Sequence, residues 1–402
     1  MSDQITVETP PQSPSETDPE NRIASRIQGF DIARALAIFG MITVNYRATF
    51  PISEESPAWF EWAANQVNGR AAALFVFLAG IGISLLSRKA RFSGDKADIR
   101  ADRVALLRRS AFLLVIGFWF RQYWEYDILH FYGVYLLIAA AILTVPNRGL
   151  LIFAFVATIV FPFMFYILPE HFGIDFWGTT SEFNPRAILI DYFFQGYHPV
   201  LPWIAFMIIG MIIGRLDLTD KAIRRRLLIG GVVLALTAET IGYIFLNMGV
   251  LKLWEDIFPS TDLEQASYLL DSSAFPPMPL FIAAGLGWGM AIVSLCLSLG
   301  ERFAGRAWIM PLVHTGQLAL TIYIVHGTIG VWVVEWVGHK PSQTLTWVIA
   351  YSALLYAVLI VLATLWRRRY ERGPVEAIMR RLTDSWKSEI NPVPPADAAK
   401  PV

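Results

Sequence analysis

The sequence predicts an all-α, polytopic integral membrane bundle of about ten transmembrane helices with both termini in the cytoplasm. Composition is the first reason: 55% of the 402 residues are hydrophobic and 16% charged, too few charges to cover the two or three soluble domains that this length would otherwise make. A second is a succession of apolar runs near the ~20 residues that a helix needs to cross ~30 Å of hydrocarbon. The third is the placement of cations. With the amino terminus inside, 26 of the 33 Lys and Arg residues fall in inner segments, and six (Arg47, Arg70, Arg121, Arg186, Lys252 and Lys340) fall in outer ones. Cations are retained on the cytoplasmic side, so this asymmetry orients the chain and requires an even number of crossings.

Taken in order, residues 1–24 are expected to form a disordered cytoplasmic tail, because Pro, Ser, Thr, Asp and Glu dominate it and cannot build a core. The membrane domain is expected over residues 25–370 and a cytoplasmic tail over 371–402, rich in Pro and Ala after Asn391. Within the domain the apolar runs lie near residues 31–50, 70–87, 104–120, 127–145, 149–168, 199–214, 227–248, 277–299, 309–336 and 344–366. The sixth is short unless it recruits the segment before His198, and the ninth is long enough to tilt or break at Gly327 or Gly330. The outer loops 169–185 and 249–276 carry Trp177, Trp254, Asp175 and Asp262. Aromatic faces beside polar acceptors could hold a sugar, but a membrane-interface belt has the same composition and is the favoured reading. Net charge is zero, which says nothing about partners until the charges are sorted by position; the strongly basic segment 88–109 is explained first by orientation, and no nucleic-acid partner is expected. The one cysteine, Cys296, excludes an intrachain disulfide and reads as an inert buried thiol. No His or Cys pair has metal-ligand spacing, so no metal is expected.

Polar residues inside the apolar runs mark the places where chemistry is expected, since a purely structural span has no reason to keep them. The first run, RIQGFDIARALAIFGMITVNY, carries Asp31, Arg34 and Asn45. Asp31 and Arg34, three apart, share a helix face as a salt bridge, and Asn45 follows ~20 Å further along. On the predicted topology Asp31, Arg34, Arg88, Arg109, Arg215, His314 and Gln317 gather toward the cytoplasm, a cationic group suited to a phosphorylated ligand. Asn45, Asp127, His130, His198, Tyr323 and His326 gather toward the outside, with imidazole and carboxylate groups suited to moving protons. Asp127 and His130 are three apart, so the carboxylate can orient the ring. Such a pair is half of a catalytic dyad, or a way of satisfying a buried histidine. Tyr323 and His326 share the spacing and the ambiguity. His198, before Pro199 at the mouth of a span and next to water, reads as a bystander.

Four blocks, QGFDIARALAIFGMITVNY, NGRAAALFVFLAGIGISLL, YHPVLPWIAFMIIGMIIGR and GQLALTIYIVHG, resemble in order and distance the heparan-alpha-glucosaminide N-acetyltransferase and YeiB-like (DUF418, DUF1624) transmembrane acyltransferase family. The resemblance implies transfer of an acyl group, acetyl in characterised relatives, from acetyl-CoA on the cytoplasmic side to an extracytoplasmic sugar or lipid-linked acceptor, here across a bacterial inner membrane. It implies that Arg34, Arg88 and Arg215, with Asp31 beside them, hold the CoA phosphates, and that the thioester surfaces near Asn45. The relatives' catalytic histidine follows the Asn-Tyr pair in the first outer loop. Here Asn45-Tyr46 leads into RATFPISEESPAWFEW, without histidine, so the base comes from elsewhere. His130 oriented by Asp127 is the expected base, Asn45 and Tyr323 the oxyanion donors and His326 the reserve base. Glu54 and Glu55 stand where the missing histidine would be and read as solvated loop charges. A conduit is expected, with Arg34 and His130 lining one cavity. Two other functions use the same residues: a transporter with Asp31, Arg34, Asp127 and His130 as a proton relay, and a non-catalytic protein of the same fold. A homodimer is compatible with the sequence.

Overall fold

Where a chain is apolar over several turns, its backbone donors and acceptors can be satisfied in lipid only by one another, and the outcome is helix after helix. A computed structural model describes residues 19–50, 52, 56–124, 126–174, 176, 185–248, 250–257, 263–336 and 343–390. Among these, helices account for nearly all regular structure, and the one β-type pairing is an isolated parallel bridge between Ile52 and Gln343. The first half comprises α1 (Pro19–Thr49), α2 (Ala58–Asn65), α3 (Arg70–Leu86), α4 (Arg88–Ser93), α5 (Lys96–Arg121), α6 (Leu129–Ala141), α7 (Asn147–Phe172), α8 (Pro185–Phe193) and α9 (Val200–Ile213). The second comprises α10 (Lys221–Asn247), α11 (Val250–Ile257), α12 (Leu263–Leu270), α13 (Pro279–Arg302), α14 (Met310–Gln317), α15 (Ala319–Val325), a π-helical turn (His326–Gly330), α16 (Val331–Trp336), α17 (Leu345–Arg367) and α18 (Pro374–Ile390).

All ten apolar runs fall on helices. Six segments are long and apolar enough to cross a membrane by length and composition: Ala58–Leu86, α7, α10, α13, Ala319–Trp336 and α17. The chain is thus a multi-pass membrane protein. The other four runs are exceptions for visible reasons. α1 interrupts its apolar stretch with Asp31, Arg34 and Asn45, and the first half of α5 is charged. α6 and α9 are shorter apolar helices. At 14 residues, α9 rises only ~21 Å, and α8 with the turn 194–199 leads into it. The helix α1 starts within the segment expected as a tail, while residues 1–18 and 391–402 lie outside the described residues.

The surface is inverted relative to a soluble protein. Leu151, Ile152, Phe155 and Phe163 on α7, Val233 and Leu236 on α10, and Leu354, Val361 and Leu362 on α17 are exposed, a contiguous apolar exterior that water would not tolerate and lipid requires. Inside, α1 packs against α3, α13, α14, α15 and α17, which makes it the central element. Lipid offers no hydrophobic drive to hold helices together, so the interior depends on close approach at small residues and on hydroxyl bonds. At the α3–α9 crossing a Cβ on Gly80 would lie 2.0 Å from the Met207 carbonyl oxygen, and one on Gly210 would lie 2.2 Å from that of Phe77. Ser84 Oγ donates to the Met211 carbonyl beside them at 2.6 Å.

The ninth run breaks where its glycines allow, in the π turn that contains Gly327 and Gly330. Tyr46 donates to the His326 carbonyl at 2.8 Å and Tyr351 to that of Gly330 at 2.7 Å, so hydroxyls from α1 and α17 satisfy oxygens that the irregular turn frees. A second break falls at Leu318, between α14 and α15. There Glu376, at the start of α18, accepts from the backbone N–H groups of Leu320 (2.9 Å) and Thr321 (3.0 Å) and from the Thr321 hydroxyl. The carboxylate thereby caps the new helix start and ties α18 to the bundle.

Candidate functional site

Near the C-terminal end of α1, the end expected to face outward, residues between Met41 and Ala48 line a cavity of about 270 Å³. Asn45, Arg47, Asn65, Asn68, His198 and Tyr323 supply its main polar atoms, and Ala71, Ala72, Ile128 and Phe275 much of its apolar wall. Arg47 donates to Asn65 Oδ1 at 2.7 Å, bridging α1 and α2 at the rim. A second, more polar groove of about 560 Å³ shares Asn65 and Asn68 with the first. It runs past Trp62, the Arg70–Glu239 ion pair (2.9 Å) and the Asp271–Ser273 turn.

Asn45 is held by the π turn. Its Nδ2 lies 3.1 Å from His326 Nε2, while His326 Nδ1 lies 3.3 Å from the Ile322 carbonyl oxygen. A carbonyl only accepts, so Nδ1 carries the proton and Nε2 accepts from the Asn45 amide. One N–H of that amide is thus committed, and its second remains for the cavity. His326 is fully buried and both of its nitrogens are engaged. It lines no part of the cavity and acts on it only through Asn45, so a reserve-base role does not fit its position.

Asp127 and His130 do pair, at 2.9 Å between Oδ2 and Nδ1. The carboxylate also accepts the backbone N–H groups of Leu129 (3.0 Å) and His130 (3.2 Å), and the Tyr323 hydroxyl at 3.3 Å. Four donors therefore converge on one group at the start of α6, an arrangement that caps the helix. The His130 ring sits against Phe118, Phe131 and Tyr192 and is 1% exposed. Neither residue lines the cavity. Tyr323 does, but its hydroxyl accepts from the Ile128 N–H at 3.1 Å and directs its one proton to Asp127. Tyr323 is thus a wall that ties α15 to α6, not a free donor.

His198 departs most from expectation. Rather than standing aside at a water-facing mouth, it borders the cavity, its ring packed edge-on against Trp203 (4.6 Å between centroids) and Phe131 (5.9 Å). The short α9 explains this, since His198 is carried inward by the turn that precedes it. Tyr135 donates to its carbonyl at 2.8 Å, and its buried Nδ1 has no hydrogen-bond partner among the described residues.

The residues expected on the cytoplasmic side separate into two clusters. In one, Asp31 pairs with Arg34 and accepts from Gln317 Nε2 at 3.1 Å, beneath a contact so close that a Cβ on Gly316 would lie 1.9 Å from the Asp31 carbonyl oxygen. Gln317 Oε1, His314 Nδ1 and Arg367 Nε nearby are buried without partners among the described residues. In the other, Arg88, Arg91 and Arg215 lie within electrostatic range of one another, and no carboxylate among the described residues pairs with them. Burial, and then repulsion from Arg91, lowers the pKa of Arg215 from its ordinary value; burial and then Arg88 do the same to Arg91. Arg215 donates to the Val145 carbonyl (2.8 Å) and to Asn147 (2.7 Å), and Arg91 to the Ser84 carbonyl (2.8 Å), all neutral acceptors. Repelling cations held by neutral partners suit a polyanion.

The expected conduit is not contained in the cavity, which neither Arg34 nor His130 lines. On α1 the lining begins at Met41, seven residues or ~10 Å beyond Arg34, and Ala37 and Ile38 between them are packed in the core. Arg91, Asn65, Asn68 and His198 are the residues that sequence reasoning passed over. For His198 the signal was present: a short sixth span. Glu54, Glu55, Asp175, Trp177, Asp262 and Lys340 lie outside the described residues, as does the side chain of Trp254. No group of His, Cys, Asp and Glu able to hold a metal occurs among the described residues.

The family model described as heparan-alpha-glucosaminide N-acetyltransferase, catalytic, matches residues 26–237, and one described as protein of unknown function (DUF418) matches residues 213–385. Asn45, Arg91, His130 and His198 fall in the first match; Tyr323 and His326 fall in the second. No curated protein matches the chain.

Proposed function

The chain belongs to the heparan-alpha-glucosaminide N-acetyltransferase family of membrane acetyltransferases, and from that premise we propose that it carries an acetyl group from acetyl-CoA in the cytoplasm to an acceptor on the opposite face. The acceptor is an extracytoplasmic carbohydrate or a lipid-linked relative of one, and the membrane is a bacterial inner membrane. About ten crossings with both termini inside complete the topology, as the distribution of Lys and Arg requires. The protein works as a monomer or as a homodimer of such units.

The observation that carries this reading is Asn45 of α1, which lines the outer cavity with one amide N–H fixed by His326 and stands on the same helix whose inner end bears Asp31 and Arg34. Attack on a thioester puts negative charge on the carbonyl oxygen, and a fixed N–H donor in a water-poor site stabilises that charge far better than solvent does. The second N–H of Asn45 is such a donor. On the inner side Arg88, Arg91 and Arg215 neutralise the phosphates, Arg34 offers a guanidinium that is one-third exposed, and the unpartnered atoms of His314, Gln317 and Arg367 supply further polar contacts. The acyl-bearing arm has to pass between Arg34 and Met41, where helix packing is close, so donor binding parts these helices. Asp127 and Tyr323 hold the start of α6 and α15 together, and His130 completes the cap.

The transport reading loses support here, because a relay needs groups that exchange partners, and Asp127 is committed to four donors away from the cavity. Membranes containing the protein, given radiolabelled acetyl-CoA and an amino sugar such as glucosamine, are expected to yield acetylated sugar, and Asn45→Ala to abolish most of the product. Equal labelling in membranes without the protein, or with Asn45→Ala, would remove the proposal.

A further inference from the structure

The family's usual histidine is missing from the first outer loop, and the acceptor must still lose a proton. Three imidazoles lie in the outer half of the bundle. His130 is sealed behind Phe118, Phe131 and Tyr192 with Nδ1 on Asp127, and His326 has a partner on each nitrogen. Only the third, His198, shares a cavity with Asn45. Its Nδ1 is buried and unpartnered among the described residues, an unfavourable state unless something in the site answers it. Trp203 and Phe131 fix the ring from two sides, Tyr135 holds its backbone, and Pro199 restricts the chain just after it. These are the marks of a placed side chain.

We propose that His198 is the general base of the acetyl transfer, an inference that rests on the function proposed above. The neutral imidazole takes the proton of an acceptor hydroxyl or ammonium. The freed lone pair forms the bond to the thioester carbonyl carbon, and Asn45 Nδ2 receives the oxyanion. Collapse of the tetrahedral intermediate breaks the C–S bond, and the departing thiolate takes the proton from the His198 imidazolium, giving free CoA with the ring neutral again; a hydroxyl acceptor is then the finished ester, while an amine acceptor loses its second proton to water before collapse, so amide formation releases one net proton. Asn65 and Asn68, which border both the cavity and the outer groove, mark the side from which the acceptor approaches.

The test compares two acceptors with the purified full-length protein in lipid nanodiscs. Glucosamine, mostly protonated at neutral pH, needs a base. Hydroxylamine, whose lone pair is free at that pH, does not. His198→Ala and the size-retaining His198→Gln are expected to lose at least about a hundredfold in transfer to glucosamine while still forming acetohydroxamate faster than the protein-free reaction does and keeping the thermal shift that acetyl-CoA induces. His171→Ala, at an exposed outer position, retains both activities. Glucosamine transfer at the wild-type rate in either His198 variant overturns the assignment, as does an equal loss with both acceptors, which marks a structural role. Wild-type protein that acetylates neither acceptor overturns the proposed function itself, a different result.

Discussion

Half-buried Asn45 and fully buried Asp127 are polar residues near the cavity, and their partners give them opposite duties. Asn45 has one N–H tied to His326 and one free, so Asn45→Ala removes a preorganised oxyanion donor. That is expected to lower kcat by about 10²–10³ with little change in acetyl-CoA affinity, measured by steady-state transfer and by thermal shift. Asp127 gathers two backbone donors, the His130 ring and the Tyr323 hydroxyl. Asp127→Asn places an amide with its own N–H groups among them and is expected to destabilise the fold by about 1–3 kcal/mol, seen as a lower Tm with and without acetyl-CoA. A pure loss of kcat with no change in Tm would contradict the structural role. The Asp127–His130 contact was legible from spacing, because helix geometry fixes residues three apart. Which imidazole faces a void was not. That depends on Phe118, Tyr192 and Trp203, brought in from other helices, and on the length of α9.

Among the elements, the ninth run has the most irregular course. Its break at Gly327 and Gly330 could be read from the sequence, since two glycines within a long apolar run weaken a helix locally. The break at Leu318 could not. Its donors are satisfied by Glu376, 55 to 56 residues later, and no local pattern announces so distant a cap. Glu376→Ala is expected to strip the start of α15 of its acceptor at a cost of about 0.5–2 kcal/mol, and to release α18. Hydrogen exchange at Leu320 and Thr321, with protease sensitivity of residues 374–390, reads this directly. Unchanged protection would mean that α18 does not depend on Glu376 for its place.

At the level of the whole molecule, composition and charge placement were sufficient for the fold class, because lipid leaves a spanning chain few choices. The cationic cluster was only half visible: Arg88 and Arg215 were expected together on one side of the membrane, but Arg91, one of several cations in the same basic segment, is singled out only by the packing that brings it beside Arg88 and Arg215. Arg91→Ala is expected to weaken acetyl-CoA binding by about tenfold, ~1.4 kcal/mol, and the deficit should shrink as salt screens the phosphates. A deficit independent of ionic strength would count against phosphate binding there. The central claim is that donor and acceptor occupy opposite faces and meet at Asn45. Proteoliposomes with uniform orientation test it most directly: labelled acetyl-CoA is supplied only at the face bearing Arg88, Arg91 and Arg215, glucosamine only at the other. The account predicts N-acetylglucosamine carrying the label in the glucosamine compartment. Label transferred only when both reactants share one compartment would contradict it.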